Sequence, residues 1–385
     1  MLRASLSLAM RAPAMRATAL KAAPRAFAAQ QQVRGLKTLD FGGTKEDVVE
    51  RSDYPKAKFQ EMYKNDTLLM MGYGTQGRGQ ALNLRDNGMP VIVGVRKGGK
   101  GSSWEVAVAD GWVPGKNLFE LDQALEKATV YMFLLSDAGQ KAYWPKLKPH
   151  LTKGKTLYVA HGFSFVFEKD TQVTAPAGVD VILVAPKGSG TTVRNLFLEG
   201  RGINGSVAVL QDATGKATDK AYGLGVAVGC GYLYGTTFQK ETYSDLVGER
   251  GVLMGMVQGA FQAQYEVLRA KGHSPSEAFN ETVEEATQSL WPLVGAKGMD
   301  WMFGNCSTTA QRGALDWAPR FHTALKPVFQ KLYDEVENGN ECRRTLDVNS
   351  KPDYKASLEK ELDALRQSEM WKAGNTVRKL RPENQ

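Results

Sequence analysis

Two pairs of carboxylates, Asp245/Glu249 and Glu281/Glu285, each with a four-residue interval, are the residues of this chain best suited to chemistry. On a helix that interval puts both members of a pair on one face. Two such helices together offer four hard oxygen ligands, the donor type that Mg²⁺ prefers. With Asp245 at zero and about 100° per residue, Glu249 falls near about 40°, inside the stripe formed by Val252, Leu253, Met256 and Ala260. Carboxylates in an apolar stripe are costly unless paired or metal-bound. A salt bridge to Arg or Lys is therefore the alternative to a metal. Glu281 and Glu285 share a polar arc with Glu277, Glu284 and Gln288, opposite Val283, Ala286 and Leu290. Taken alone, that second pair reads as a solvated helix face. The histidines His150, His161, His273 and His322 are too scattered for a zinc motif.

A second chemical site precedes the acids. Leu68-Leu69-Met70-Met71 runs into Gly72-Tyr73-Gly74-Thr75-Gln76-Gly77, which opens a helix that Asn87-Gly88 ends. Without side chains at Gly72, Gly74 and Gly77 the backbone can turn tightly and approach a pyrophosphate at the helix N-terminus. The strand, helix and second strand around it give the glycine pattern its weight. The second strand usually ends in an acid that binds the ribose 2′-hydroxyl of NAD. Here Val95 is followed by Arg96-Lys97-Gly98-Gly99-Lys100-Gly101-Ser102-Ser103, which has no acid. Cations and hydroxyls suit a 2′-phosphate, so NADPH is favoured over NADH, an ordinary basic surface turn being the alternative.

The elements that must position these residues fall into two sets. Strands are expected at Thr67–Met71, Pro90–Val95, Thr129–Leu135, Thr156–Ala160, Val179–Ala185 and Ser206–Leu210, with helical stretches between them. That alternation implies a mostly parallel sheet covered on both faces, an α/β fold. Beyond Gly235 the pattern is helical, with long stretches at 242–270, 276–294 and 324–338 and breaks at Gly272 and Gly295/Gly298. Ser274-Pro275-Ser276 is a helix-start signature. At 385 residues the chain calls for at least two domains.

The net charge of +8 is concentrated at one end. Of 49 Lys and Arg, seven lie in residues 1–39 without a single acid, leaving 42 against 41 acids in the rest. The basic, Ala- and Ser-rich leader, residues 1–38, reads as a mitochondrial transit peptide cut just after Arg34, or else as a basic arm that stays attached. Cys230, Cys306 and Cys342 show no CxxC spacing, which fits a reducing compartment such as the matrix. No apolar run approaches the ~20 residues of a membrane span.

Five motifs occur in one order: Gly72–Gly77, Ala160-His161-Gly162-Phe163-Ser164, Ala185-Pro186-Lys187-Gly188-Ser189-Gly190, Ser244-Asp245-Leu246-Val247-Gly248-Glu249 and Cys306-Ser307-Thr308-Thr309. Through them the chain, over about residues 50–385, closely resembles ketol-acid reductoisomerase (acetohydroxyacid isomeroreductase) in its fungal mitochondrial form. The resemblance implies an NADPH-binding Rossmann domain over 47–236 and an all-α knotted domain over 237–385 that binds metal and substrate and dimerises. It implies a homodimer or higher homo-oligomer with the site shared across the interface. Asp245 then matches the carboxylate shared by two Mg²⁺ ions and Glu249 completes one shell, while Glu281 and Glu285 come from the partner subunit. His161 and Lys187 match the basic active-site residues and Ser307 the substrate-binding one. Gly72, Gly74, Thr75, Gln76, Gly77, Arg96, Lys100, Ser102, Ser103, Ser136, Asp137 and Gln140 fall to the cofactor. The loop Ser136–Gln140 departs from the family pattern at Gly139, where a larger residue is expected.

The implied reaction is alkyl migration in 2-acetolactate or 2-aceto-2-hydroxybutyrate followed by reduction with NADPH, in valine and isoleucine biosynthesis. A β-hydroxyacid dehydrogenase, which needs no divalent metal, is the competing enzyme reading. A nucleic-acid or scaffold protein is suggested by Arg378-Lys379-Leu380-Arg381 and the leader, but the near-neutral remainder argues against it.

Overall fold

The computed structural model describes residues 36–385 apart from Lys100. Most of the expected leader, to position 35, and Lys100 of the expected cofactor loop lie outside the described residues.

Ten strands form one sheet: β1 Lys37–Asp40, β2 Lys45–Glu50, β3 Leu68–Met71, β4 Val91–Val95, β5 Leu118–Glu120, β6 Val130–Phe133, β7 Thr156–Val159, β8 Asp180–Pro186, β9 Ile203–Gln211 and β10 Cys230–Gly235. Their order is β1-β2-β10-β9-β8-β7-β6-β3-β4-β5. Strands β3, β6, β7 and β8 are buried at every position. This is why they read as continuous apolar runs: helices cover both faces. The pairings from β8 through β7, β6, β3 and β4 to β5 are all parallel, whereas β8/β9, β2/β10 and β1/β2 are antiparallel. Strand order reverses between β3 and β6, and ligands of open α/β sheets bind outside the carboxyl ends at such a point.

All six expected strands are present with ends shifted by a few residues. The other four carry no clear strand signal: β1 is Lys-Thr-Leu-Asp at the edge of the basic leader, the first half of β2 is Lys-Glu-Asp, β5 has three residues, and β10 is interrupted by Gly231. Lys37 and Thr38 pair with Val48 and Asp47, so the last two residues of the stretch read as a leader belong to the sheet.

Beyond β10 the described residues form helices and turns. The stretch expected as one helix over 242–270 is two, Phe238–Arg250 and Gly255–Ala270. Gly251–Met254 separates them, and Val252, Leu253 and Met254 are exposed there. The apolar stripe assigned to Asp245 and Glu249 is thereby corrected, because a helical wheel does not carry through a break in the backbone. The second acidic stretch starts as expected, with Ser274 Oγ accepting from Glu277 N at 3.1 Å and Pro275 at the first position. It then widens into two π-helical turns, Asn280–Glu284 and Ala286–Leu290, before Trp291–Lys297. A single 30-residue helix, Thr308–Glu337, contains most of the expected 324–338 element. No helix of the described residues is long and apolar enough to cross a membrane.

Candidate active site

The turn after β3 is built on backbone contact. Gly72 has φ +98°, and a Cβ there would sit 2.8 Å from the carbonyl oxygen of Leu134 at the end of β6. A Cβ on Gly77 would collide with the Gly72 carbonyl oxygen. The helix Thr75–Asp86 starts at once, with Gly74 as an N-cap that has no capping side chain. Its first-turn amides are left to meet an anion. Tyr73 Oη donates to Asp110 Oδ2 at 2.9 Å, and Arg78 clamps the same carboxylate through Nε and Nη2 at 2.7 and 2.8 Å. Asp110 ends the helix Ser103–Ala109, so the glycine turn and the basic loop are braced together. Arg96 and Ser103 are exposed at the mouth of that loop, and Ser102 caps its helix. Ser136 caps Asp137–Leu147 across the switch point. Gln140 is turned inward, its amide nitrogen donating to Phe133 and Leu135 carbonyls at 3.0 and 3.1 Å, a bracing role for that turn.

The same turn is tied to the end of β8. Gln76 Nε2 donates to the Gly188 carbonyl at 2.7 Å, and behind it Gln80 Nε2 donates to Gln76 Oε1 while Tyr158 Oη donates to Gln80 Oε1. Gly190 packs so closely on Thr75, and Gly79 on Gly190, that a Cβ at either glycine would strike backbone. The lysine that follows β8 thus rides on the glycine turn.

Beyond the adjacent ends of β7 and β8 stand His161 and Lys187, and the helix Phe238–Arg250 lays Glu241 and Asp245 over them. Gly162 permits this approach, since a Cβ there would meet Thr242 Oγ1 and the Phe238 carbonyl. His161 Nδ1 lies 3.3 Å from both Glu241 Oε2 and Asp245 Oδ2. Lys187 Nζ donates to Glu241 Oε1 at 2.9 Å and lies 3.8 Å from Asp245 Oδ1. Burial opposes the charge on His161, but Glu241, Asp137 and Asp245 outweigh it and raise the imidazole to about 9. Lys187 is likewise pulled down by burial yet raised on balance by Glu241 and Asp245. Burial pushes Glu241 up, and the neighbouring His161 imidazolium and Lys187 ammonium bring it below the usual range. All are charged at neutral pH.

Glu241 is absent from the sequence-derived set. It lies four residues before Asp245, the spacing that picked out Glu249, so extending the pattern one turn upstream would have found it. Its side chain is 1 % exposed against 31 % for Asp245, which makes Asp245 the acid open to a ligand. Glu249 follows one turn on, half-buried, its carboxyl raised by burial and by the charge of Asp245. Repulsion between two partly exposed carboxylates is what a divalent cation relieves, so the donor set fits a hard ion.

Within the chain, Glu281, Glu285 and Ser307 are not brought to this cluster. Among the described residues, the group whose ligand atoms converge is His161, Glu241 and Asp245. Glu281 and Glu285 are exposed on the π-helical segment, and Ser307 is exposed as the N-cap of Thr308–Glu337, accepting from Ala310 N at 3.2 Å. Glu284, expected on their arc, is instead buried against Arg381.

A glycine turn at the switch point of a doubly wound sheet, tied to strand ends where a charged cluster stands, is the arrangement of a pyridine-nucleotide-dependent oxidoreductase. Two family models match in tandem: acetohydroxy acid isomeroreductase, NADPH-binding domain, over residues 62–233, and ketol-acid reductoisomerase, C-terminal domain, over 238–383. The chain belongs to the ketol-acid reductoisomerase family. It is 67 % identical over 357 residues to the mitochondrial ketol-acid reductoisomerase of Neurospora crassa, covering 93 % of this chain and 88 % of the relative. To that of Saccharomyces cerevisiae it is 63 % identical over 352 residues, 91 % of this chain and 89 % of the relative. The solved NADH-preferring ketol-acid reductoisomerase from an uncultured archean superposes with a TM-score of 0.77 at 32 % identity, covering 87 % of this chain and 99 % of that one. Membership makes the chain an NADP-dependent oxidoreductase that isomerises and reduces a 2-acetyl-2-hydroxy acid in branched-chain amino acid biosynthesis.

Proposed function

We propose that the cluster of His161, Lys187, Glu241 and Asp245 is where this reaction occurs, with Mg²⁺ and NADPH, on 2-acetolactate or 2-aceto-2-hydroxybutyrate. The observation that carries the reading is the 2.9 Å Lys187–Glu241 pair beside the outward-facing Asp245, at strand ends tied to the cofactor turn. Asp245 and Glu249 would hold the ions, two per site, and Glu281 and Glu285 of a second protomer would complete the shells. When bound, Mg²⁺ supplies Lewis acidity toward the substrate hydroxyl and carbonyl, and NADPH supplies the hydride.

The chain's own residues do the rest. Glu241, buried and ionised, fixes Lys187 and His161. Lys187 directs its ammonium at oxyanion charge developing on the substrate. His161 holds Asp245 in place and offers a proton donor beside it. Ser307, with a hydroxyl hydrogen left to give, would bind the substrate carboxylate or hydroxyl. Thr75, Gln76 and the glycines of the turn would carry the pyrophosphate, and Ser136 and Asp137 would line the opposite side. Arg96, Ser102 and Ser103, with Lys100, would take the 2′-phosphate; the absence of any acid from Arg96 to Ser103 supports NADPH.

A homodimer is supported by large apolar side chains left open on the helical half, Leu315, Trp317, Phe321 and Val328 among them, each more than half exposed. A mitochondrial location, in the matrix, is supported by the acid-free basic leader and by relatives named mitochondrial. A cut after Arg34 would leave β1 whole. The test is NADPH oxidation with racemic 2-acetolactate with and without Mg²⁺. Turnover that needs the metal supports the reading, and turnover that survives exhaustive chelation favours a metal-free hydroxyacid dehydrogenase.

A further inference from the structure

In the basic run near the C-terminus, Arg378-Lys379-Leu380-Arg381, both arginines are engaged by the chain itself. Arg378 lies over the Trp371 ring, 5.8 Å from its centroid, and Arg381 Nε donates to Glu284 Oε1 at 2.6 Å. Glu284 is 97 residues away in sequence, and the two side chains are 9 % and 24 % exposed, for Glu284 and Arg381 respectively. The last residues fold back on the helix that precedes them, with Asn384 Nδ2 donating to the Arg378 carbonyl at 2.8 Å and Gln385 Nε2 to that of Leu380 at 3.0 Å. That helix, Glu369–Lys379, packs on Pro275–Phe279: the Phe279 ring lies against Gly374, where a Cβ would collide with it, and meets Trp371 edge to face. The C-terminal segment is therefore anchored on both sides of Arg381.

The partner of Arg381 sits in the π-helical stretch. Glu285 N–H bonds back to the Asn280 carbonyl, and Trp291 N–H to that of Ala286, each five residues earlier. Such turns are rare, and they occur frequently at functional sites. In an α-helix Glu281, Glu284 and Glu285 would share one polar arc. A π turn advances less per residue, and here it separates them: Glu284 is buried, while Glu281 and Glu285 face solvent. The hydroxyls of Thr282 and Thr287 bond back to Ala278 and Val283 carbonyls at 2.6 and 2.8 Å, which helps bend the backbone.

We propose that Arg381 is a positioning residue for metal binding: its ion pair with Glu284 holds the π register in which Glu281 and Glu285 are presented. This rests on the reading of Glu281 and Glu285 as metal ligands. Partners that orient metal ligands typically change affinity by about 10- to 100-fold when removed. Arg381→Met and Glu284→Gln should therefore weaken Mn²⁺ binding to the full chain, read by electron paramagnetic resonance of the free ion, by on the order of tenfold. NADPH affinity by fluorescence titration should stay unchanged, and Arg381→Lys should recover part of the loss.

Glu281→Gln is the control for the underlying assignment. If it weakens Mn²⁺ binding while both Arg381→Met and Glu284→Gln leave it intact, the positioning role is wrong and the ligand assignment stands. Should Glu281→Gln leave Mn²⁺ affinity untouched, the ligand assignment fails and the proposal falls with it. Equal losses of Mn²⁺ and NADPH affinity in both variants would mark a merely structural pair and overturn the proposal. Glu284→Gln, nearly isosteric, keeps the test open if Arg381→Met does not fold.

Discussion

Lys187 Nζ and Glu241 Oε1, from the end of β8 and from the first helix after β10, lie 2.9 Å apart with the carboxylate almost wholly buried. The pair joins the sheet to the helical half at the point where charge is needed. Its buried acid also lies 3.3 Å from His161 Nδ1, so one side chain faces two cations. Breaking such a pair leaves a buried charge uncompensated.

Glu241→Gln should accordingly lower kcat on 2-acetolactate by on the order of 100-fold, the scale of a roughly 1 Å misplacement of a catalytic group. NADPH affinity should not change, because the cofactor contacts proposed for the glycine turn and the basic loop do not include Glu241. Steady-state kinetics with a cofactor titration on the same preparation checks both. A kcat close to that of the unmodified enzyme would reduce Glu241 to a packing role.

The loop after β4 should decide the cofactor. Arg96→Asp with Ser103→Asp removes a cation and places two carboxylates where a 2′-phosphate would sit, favouring the ribose hydroxyls of NADH instead. Preference, measured as the ratio of kcat/KM for NADPH to that for NADH, should fall by at least about tenfold, the equivalent of one charge-assisted hydrogen bond. Unchanged KM values for both cofactors would remove this loop from the site.

Asp110 gives a pH-dependent signature in the scaffold. The bonds from Arg78 hold its carboxyl below the usual carboxylate range, against burial and with help from Tyr73. A depressed folded-state pKa stabilises above the unfolded value of about 3.9 and loses that effect as pH falls through the folded value. Arg78 is half exposed, so solvent screening limits the effect, and Asp110→Asn should cost about 1 kcal/mol at pH 7. Urea unfolding at neutral and acid pH should show the gap closing on the acid side; a gap independent of pH would contradict the assignment.

The parallel sheet was legible because strands covered on both faces leave unbroken apolar runs, as in Leu68–Met71 and residues 181–186. Cys230–Gly235 and Leu118–Glu120 were not, since glycine or brevity erases the signal. In the helical half, periodicity overreached. A constant angle per residue ran through the break at Gly251 and through the π turns, and so placed Asp245 in an apolar stripe and Glu284 beside Glu281. Both errors have one origin: the backbone departs from α geometry where tertiary contacts dictate it. Glu241 was missed because a single four-residue pair was taken as complete. The meeting of Glu241 with Lys187 depends on how a helix lies across two strand ends, which no local pattern encodes.

Asp245 is the side chain proposed to hold the ions required for isomerisation. The most direct measurement compares Asp245→Asn with the unmodified enzyme on 2-acetolactate and on the already rearranged 2-keto acid, with saturating Mg²⁺ and NADPH. The expected result is loss of turnover on 2-acetolactate with some reduction of the rearranged acid retained. Full turnover of 2-acetolactate by Asp245→Asn would show that this carboxylate does not hold an ion that isomerisation needs.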